Sequence, residues 1–153
     1  MESFAATVDV ALMKETIVVG FSYFLPEGLT DPVRSLAAFA VHEGSPSDSF
    51  ALVAERLTSL GCSALPVRMP DGRLGIVTER DIVQAVALDT TDLTAAALAS
   101  MPVIEIDADR SVDDAAELMM VSGVRHLVVR DDERLGIVSM RDVVEALLSA
   151  SRT

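Results

Sequence analysis

One passage of the chain is written twice. Gly72–Val83 reads GRLGIVTERDIV, and Glu133–Val144 reads ERLGIVSMRDVV. Between Arg73 and Val83, eight of eleven positions equal their counterparts 61 residues later, and Thr78/Ser139 and Ile82/Val143 differ conservatively. One extra residue in the first copy, near Pro70–Gly72, moves the upstream offset to 62. Ser49–Leu57 then aligns with Ser111–Met119, and Gly61 with Gly123. The repeat reaches back to Leu29, so the sequence divides into an unrepeated lead, 1–28, and two units, 29–90 and 91–153. A duplication of this size sets the fold, because one small supersecondary unit buries too little apolar surface to stand alone.

The pattern within a unit follows from periodicity. In the second copy Val103–Ile106 is β-branched and apolar, which predicts a short strand. Ser111 is a hydroxyl N-cap with Asp113 and Asp114 near the positive helix end, and Gly123 is the stop, so a helix runs between them. VRHLVVR is a second strand, the charged DDE a tight turn, RLGIVS a third strand and MRDVVEALLSA a second helix. Each unit therefore reads β-α-β-β-α behind a short helical segment, Val33–Ala37 in one copy and Thr94–Ala99 in the other. The runs LGIV and LVV are continuously apolar, as in a sheet covered on both faces. The fold class is α/β (α+β), with two such units packed sheet to sheet about a pseudo-twofold.

The order of elements, the stretch Gly61-Cys62-Ser63-Ala64-Leu65-Pro66-Val67 and above all G-I-V-T-x-R-D-I resemble the CBS domain, which occurs in tandem pairs called Bateman modules. The resemblance covers about Leu29–Ala150 and leaves residues 1–28 unexplained.

Charge and composition narrow the partners. The chain has 24 acidic against 12 basic residues, net charge −12, and half of its residues are hydrophobic. With no basic stripe, nucleic acid and anionic membrane are poor partners. The single cysteine, Cys62, cannot form an intramolecular disulfide, which suits a reducing cytoplasm. The longest apolar run, Ile17–Leu25, is about half of what spans a bilayer and has no basic region before it, so it reads neither as a membrane helix nor as a signal peptide. The lead is expected to cover a sheet edge or build a subunit contact. Apolar helical faces at Ala115, Leu118, Met119, Ala146 and Leu147 point to a homodimer.

Chemistry concentrates where the third strand meets the second helix, at Thr78-Glu79-Arg80-Asp81 and Ser139-Met140-Arg141-Asp142. A hydroxyl followed three residues later by an acid is a helix-capping arrangement. The same geometry suits a ligand, since helix N-terminal amides bind phosphate and a carboxylate accepts from ribose hydroxyls. The resemblance implies the latter: Asp81 and Asp142 at ribose, Thr78 and Ser139 at the sugar or phosphate, in a cleft between the units. It places adenine between the first and second strands of one unit. The walls would be Phe39, Ala40 and Val41 with Ala64, Leu65 and Pro66 in the first site. In the second they would be Met101, Pro102, Val103 and Ile104 with Val124, His126 and Leu127. Arg125 stands where related modules present a cation to phosphate, and its counterpart is Ser63, which favours the second site for a phosphorylated ligand.

His42, His126 and Cys62 lack metal-ligand spacing, and each histidine reads as structural on a strand. Asp107, Asp109, Asp113 and Asp114 read as a solvated acidic face without the glycine and terminal glutamate of a calcium loop. No hydrolase elbow and no glycine-rich phosphate loop occur. The reading is therefore a regulatory, non-catalytic module needing no cofactor. It binds an adenosyl nucleotide, AMP, ADP, ATP or S-adenosylmethionine, with Mg²⁺ required to carry extra phosphates into so negative a field. It reports to a protein the sequence does not identify. The alternative is a structural homodimerisation module with empty clefts.

Overall fold

Ser49 and Ser111 stand at aligned positions, and each starts a helix that a glycine stops. The Ser49 hydroxyl accepts from the Leu52 amide at 3.2 Å, and the Ser111 hydroxyl from the Asp114 amide at 3.1 Å. Gly61 and Gly123 close these helices at φ 61° and 67°, the left-handed region where a Cβ is costly. The computed structural model describes residues 30–39 and 41–150, so the lead 1–28 and the covering role expected of it lie outside the described residues.

A 3-10 turn at Val33–Ser35 comes first. The first copy then runs α1 (Phe50–Leu60), β1 (Ala64–Arg68), β2 (Leu74–Thr78) and α2 (Glu79–Ala87). The second runs α3 (Ala95–Leu98), β3 (Glu105–Asp107), α4 (Val112–Ser122), β4 (His126–Asp131), β5 (Arg134–Ser139) and α5 (Met140–Ala150). The architecture is α/β, as the periodicity predicts.

The copies differ in their sheets. In the second, β3 lies parallel to β4 and β4 antiparallel to β5. In the first, only β1 and β2 pair, and the strand expected before α1 shrinks to one bridge, Gly44 to Val67. Two prolines account for this correction. In the second copy the Val128 amide donates to Ile104 O, and the Ala108 amide to Arg130 O, both at 2.9 Å. The aligned residues are Pro66 and Pro46, which have no N–H to give. The Gly44 amide still donates to Pro66 O at 2.7 Å, and that bond is what remains of the ladder. His42 is accordingly off any strand, while His126 begins β4. One ion pair persists in both copies, Arg68–Glu43 at 2.8 Å and Arg130–Glu105 at 2.7 Å, half-exposed and worth at most about 1 kcal/mol each.

The sequence repeats, 29–90 and 91–153, are not grouped in the same way by packing. One compact unit is Ala40–Val103; the other joins the stretch ending at Phe39 to Ile104 and beyond. The segment ahead of each copy hydrogen-bonds with the other copy. The Val33 and Arg34 amides donate to Arg110 O and Ala108 O, while the Ala95 and Ala96 amides donate to Asp48 O and Pro46 O. Ala38 bridges to Ile137, and Ser100 to Ile76. This exchange explains the glycine of each LGIV. A Cβ on Gly75 would stand 2.9 Å from Ala99 Cβ, and one on Gly136 would stand 3.0 Å from the Phe39 ring.

Each unit has its own core. Val53, Leu57, Leu65, Val67 and Val77 centre the first; Val33, Val112, Leu118, Met119, Leu127 and Val138 centre the second. Each fully buried aliphatic chain contributes about 1.5–3 kcal/mol of transfer free energy. Ala115, Leu118 and Met119, expected on a dimer face, are instead inside this second core, with Ala146 and Leu147 packed against it. α4 turns its more apolar face inward, so those residues cannot meet another subunit. Asp114 is a further correction. It is buried, caps α4 through a reciprocal bond to the Ser111 amide at 3.3 Å, and pairs with Arg110 at 3.0 Å. Ion pairs also fasten the leading segment: Arg34 binds Asp131 at 3.0 Å and Asp109, and Arg134 binds Asp131 while lying 4.6 Å over the Phe39 ring. The Arg134 hydrogen bond, with Arg34 adding to it against the opposing effect of burial, holds the Asp131 carboxyl below its ordinary range.

Candidate functional site

The two T/S-x-x-D motifs fold into one local structure, repeated. The Thr78 amide and hydroxyl both donate to Asp81 Oδ2, at 2.7 and 2.8 Å, and the Asp81 amide returns to the hydroxyl at 3.4 Å. The Ser139 amide and hydroxyl donate to Asp142 Oδ2 at 2.7 Å each, with the Asp142 amide returning at 3.3 Å. These are reciprocal capping boxes built with aspartate. The capping part of the sequence reading is therefore real. It uses one oxygen: Asp81 Oδ1 and Asp142 Oδ1 accept no hydrogen bond among the described residues, and both side chains are half-buried.

The loop before β1 and its counterpart before β4 close over these boxes. The Glu79 amide donates to Ser63 O at 3.0 Å, and the Met140 amide to Arg125 O at 2.8 Å. Thr78 lies across from Ala64, and Ser139 across from His126. Each motif is thus bordered by a loop residue, a strand residue and a first helical turn whose second amide, Arg80 or Arg141, has no acceptor among the described residues. Burial pushes the Cys62 thiol up, and the Glu79 carboxylate adds to that. The arrangement offers a carboxylate oxygen and a helix-end amide side by side, which can accept from a hydroxyl and donate to an anion.

The remaining expected wall residues divide between the two compact units. Arg125 is exposed at the Ser139–Asp142 motif, with His126, Val124 and Ile104 half-buried in the same unit. In the first unit Ala64, Leu65 and Pro66 are buried, Leu65 fully so in the core, and Val41 is half-buried. Phe39 packs on Gly136 and Arg134, in the unit of Asp142. Met101 packs on Gly75 in the unit of Asp81, with Pro102 after a cis peptide and half-buried Val103 in the same unit. The exchange of leading segments places both. Glu79 and Met140 were not singled out from the sequence, although they are the one non-conservative difference between Arg73–Val83 and its copy.

Among the described residues no three or more of His, Cys, Asp and Glu gather to hold a metal ion, and no helix is long and apolar enough to cross a membrane.

The CBS domain family matches residues 45–88 and 95–149. An uncharacterized protein of Methanopyrus kandleri is 33% identical over 119 residues, covering 74% of this chain and 61% of that protein, so the chain spans less than two thirds of it. The crystal structure of a CBS-domain protein, ATU1752, from Agrobacterium tumefaciens superposes with a TM-score of 0.66 at 28% identity, covering 76% of this chain and 98% of that one. The CBS domain pair of protein MJ0100, solved in complex with 5′-methylthioadenosine and S-adenosyl-L-methionine, gives 0.67 at 26% identity over 76% and 98% of the two chains. Two tandem matches, falling on the two copies that the internal repeat defines, place the chain in the CBS-domain family.

Proposed function

We propose that this protein is a regulatory module that binds adenosyl ligands at its two capped helix starts. The observation that carries the reading is the divided use of each aspartate: Oδ2 is committed to the cap and Oδ1 remains for a ribose hydroxyl. The MJ0100 pair, related by both fold and sequence, is complexed with two adenosyl compounds, which supports the same class here. Ligand binding would bias the surface shown to a partner protein by differential affinity for two conformations. A homodimer would draw on Met120, Val144 and Leu148, the large apolar side chains exposed by the second unit.

The test is calorimetric titration of 5′-methylthioadenosine, S-adenosylmethionine and AMP into wild type, Asp81→Asn and Asp142→Asn. Asparagine keeps an acceptor for the cap, so stability should fall by only about 0.5–1 kcal/mol through the helix dipole. Loss of a charge-assisted bond to ribose is worth about 1.5–3 kcal/mol, at least tenfold in affinity at the altered site. Lower melting temperatures with unchanged binding in both variants would leave these aspartates as caps alone.

A further inference from the structure

We infer that the two sites sort adenosyl ligands by charge: the Asp142 site takes a phosphorylated nucleotide, and the Asp81 site an uncharged or cationic adenosyl thioether or sulfonium. This rests on the adenosyl reading above and adds ligand class to each site. The two capping boxes match bond for bond, and each contains the same Arg-Asp pair, Arg80-Asp81 and Arg141-Asp142. They differ at the two residues joined by the hydrogen bond across the helix start. In the first site those are Ser63 and Glu79; in the second, Arg125 and Met140. The pairs carry formal charges of −1 and +1, a difference of two, on equivalent backbone. Neither Glu79 nor Arg125 forms an ion pair among the described residues, so neither charge is neutralised locally. Glu79 also acts on the adjoining loop, since its carboxylate helps to hold the Cys62 thiol up.

A phosphate monoester carries about −1.5 to −2 near neutral pH. At roughly 8 Å in a water-like medium, with screening at physiological salt, a two-charge difference changes its affinity by roughly threefold. A thioether in place of phosphate feels neither charge, and a sulfonium prefers the Glu79 side. The chain's net charge of −12 repels anions everywhere, which makes the local cation at position 125 the more discriminating.

Asp81→Asn leaves the second site as the better one, and Asp142→Asn the first, so each background reports one site. In each, AMP and 5′-methylthioadenosine are titrated and the ratio of their affinities is read. The ratio should be about threefold higher in the Asp81→Asn protein. Adding Arg125→Glu there should lower it about threefold, and adding Glu79→Arg to the Asp142→Asn protein should raise it about threefold. Both positions are exposed, so the fold is not at stake, and far-ultraviolet circular dichroism checks it. Equal ratios that ignore these reversals, in a protein whose binding disappears in the double aspartate variant, overturn charge sorting alone. Binding that survives the double aspartate variant, or absence of binding by wild type, overturns the adenosyl reading and the sorting with it.

Discussion

Gly136→Ala tests the seating of the leading segment. The new Cβ would stand 3.0 Å from Phe39 Cδ1 and Cε1 and 3.1 Å from Ala38 O. Carbon atoms pack comfortably at about 3.5–4.0 Å, so the ring must give by a few tenths of an ångström, with the backbone oxygen also in tight contact. Ala38 cannot recede freely, because its amide donates to Ile137 O at 2.9 Å and its carbonyl accepts from the Ile137 amide at 3.0 Å. The ring must move, giving up its place against Arg134. Overpacking of this kind costs about 1–3 kcal/mol. Phe39→Ala removes half of the obstacle and leaves the carbonyl, so rescue should be partial. Urea melts of wild type, both single variants and the double variant complete the cycle. The double variant should be more stable than the sum of the single effects by about 1 kcal/mol or more. Additivity within about 0.5 kcal/mol, the behaviour of independent sites, would refute the contact and with it the placement of Phe39 over the second hairpin.

Val128→Pro removes the amide bonded to Ile104 and should turn the three-stranded sheet toward the two-stranded form of the first copy, at a cost of about 2 kcal/mol or more. Pro66→Val changes an already shortened edge and should cost much less, and hydrogen exchange at the Ile106 and Gly44 amides would separate the two effects. Asp131 gives a pH dependence. Its folded pKa lies below the unfolded value of about 3.9, so its contribution is present above that value and disappears as pH falls through the lower, folded one. The gap in urea midpoint between wild type and Asp131→Asn should therefore be constant above about pH 5 and close in stronger acid. A gap that widens on acidification would contradict the pairing with Arg134 and Arg34.

Helix ends and hairpins were legible because their signals are local. Ser111, Gly123, Thr78 and Ser139 act through bonds to residues three or four positions away, and the structure places them where the spacing does. The exchange of leading segments was not legible, since Val33 and Ala95 occupy equivalent positions and nothing nearby says which copy each amide will meet. The missing first strand could have been read. Pro46 and Pro66 stand opposite Ala108 and Val128 in the repeat alignment, and their lack of an N–H is a property of the residue alone. Asp114 and Met119 were misread because their charge and apolarity describe a helix without saying which side is covered. In a duplicated chain the identical positions report the fold common to both copies, and the departures report what each copy does with it. Pro66 against Val128 changes a sheet, and Ser63 with Glu79 against Arg125 with Met140 changes the charge presented at an otherwise equal helix start. On the proposed reading, such a pair of sites would give one module two chemically distinct inputs without altering the backbone that holds either.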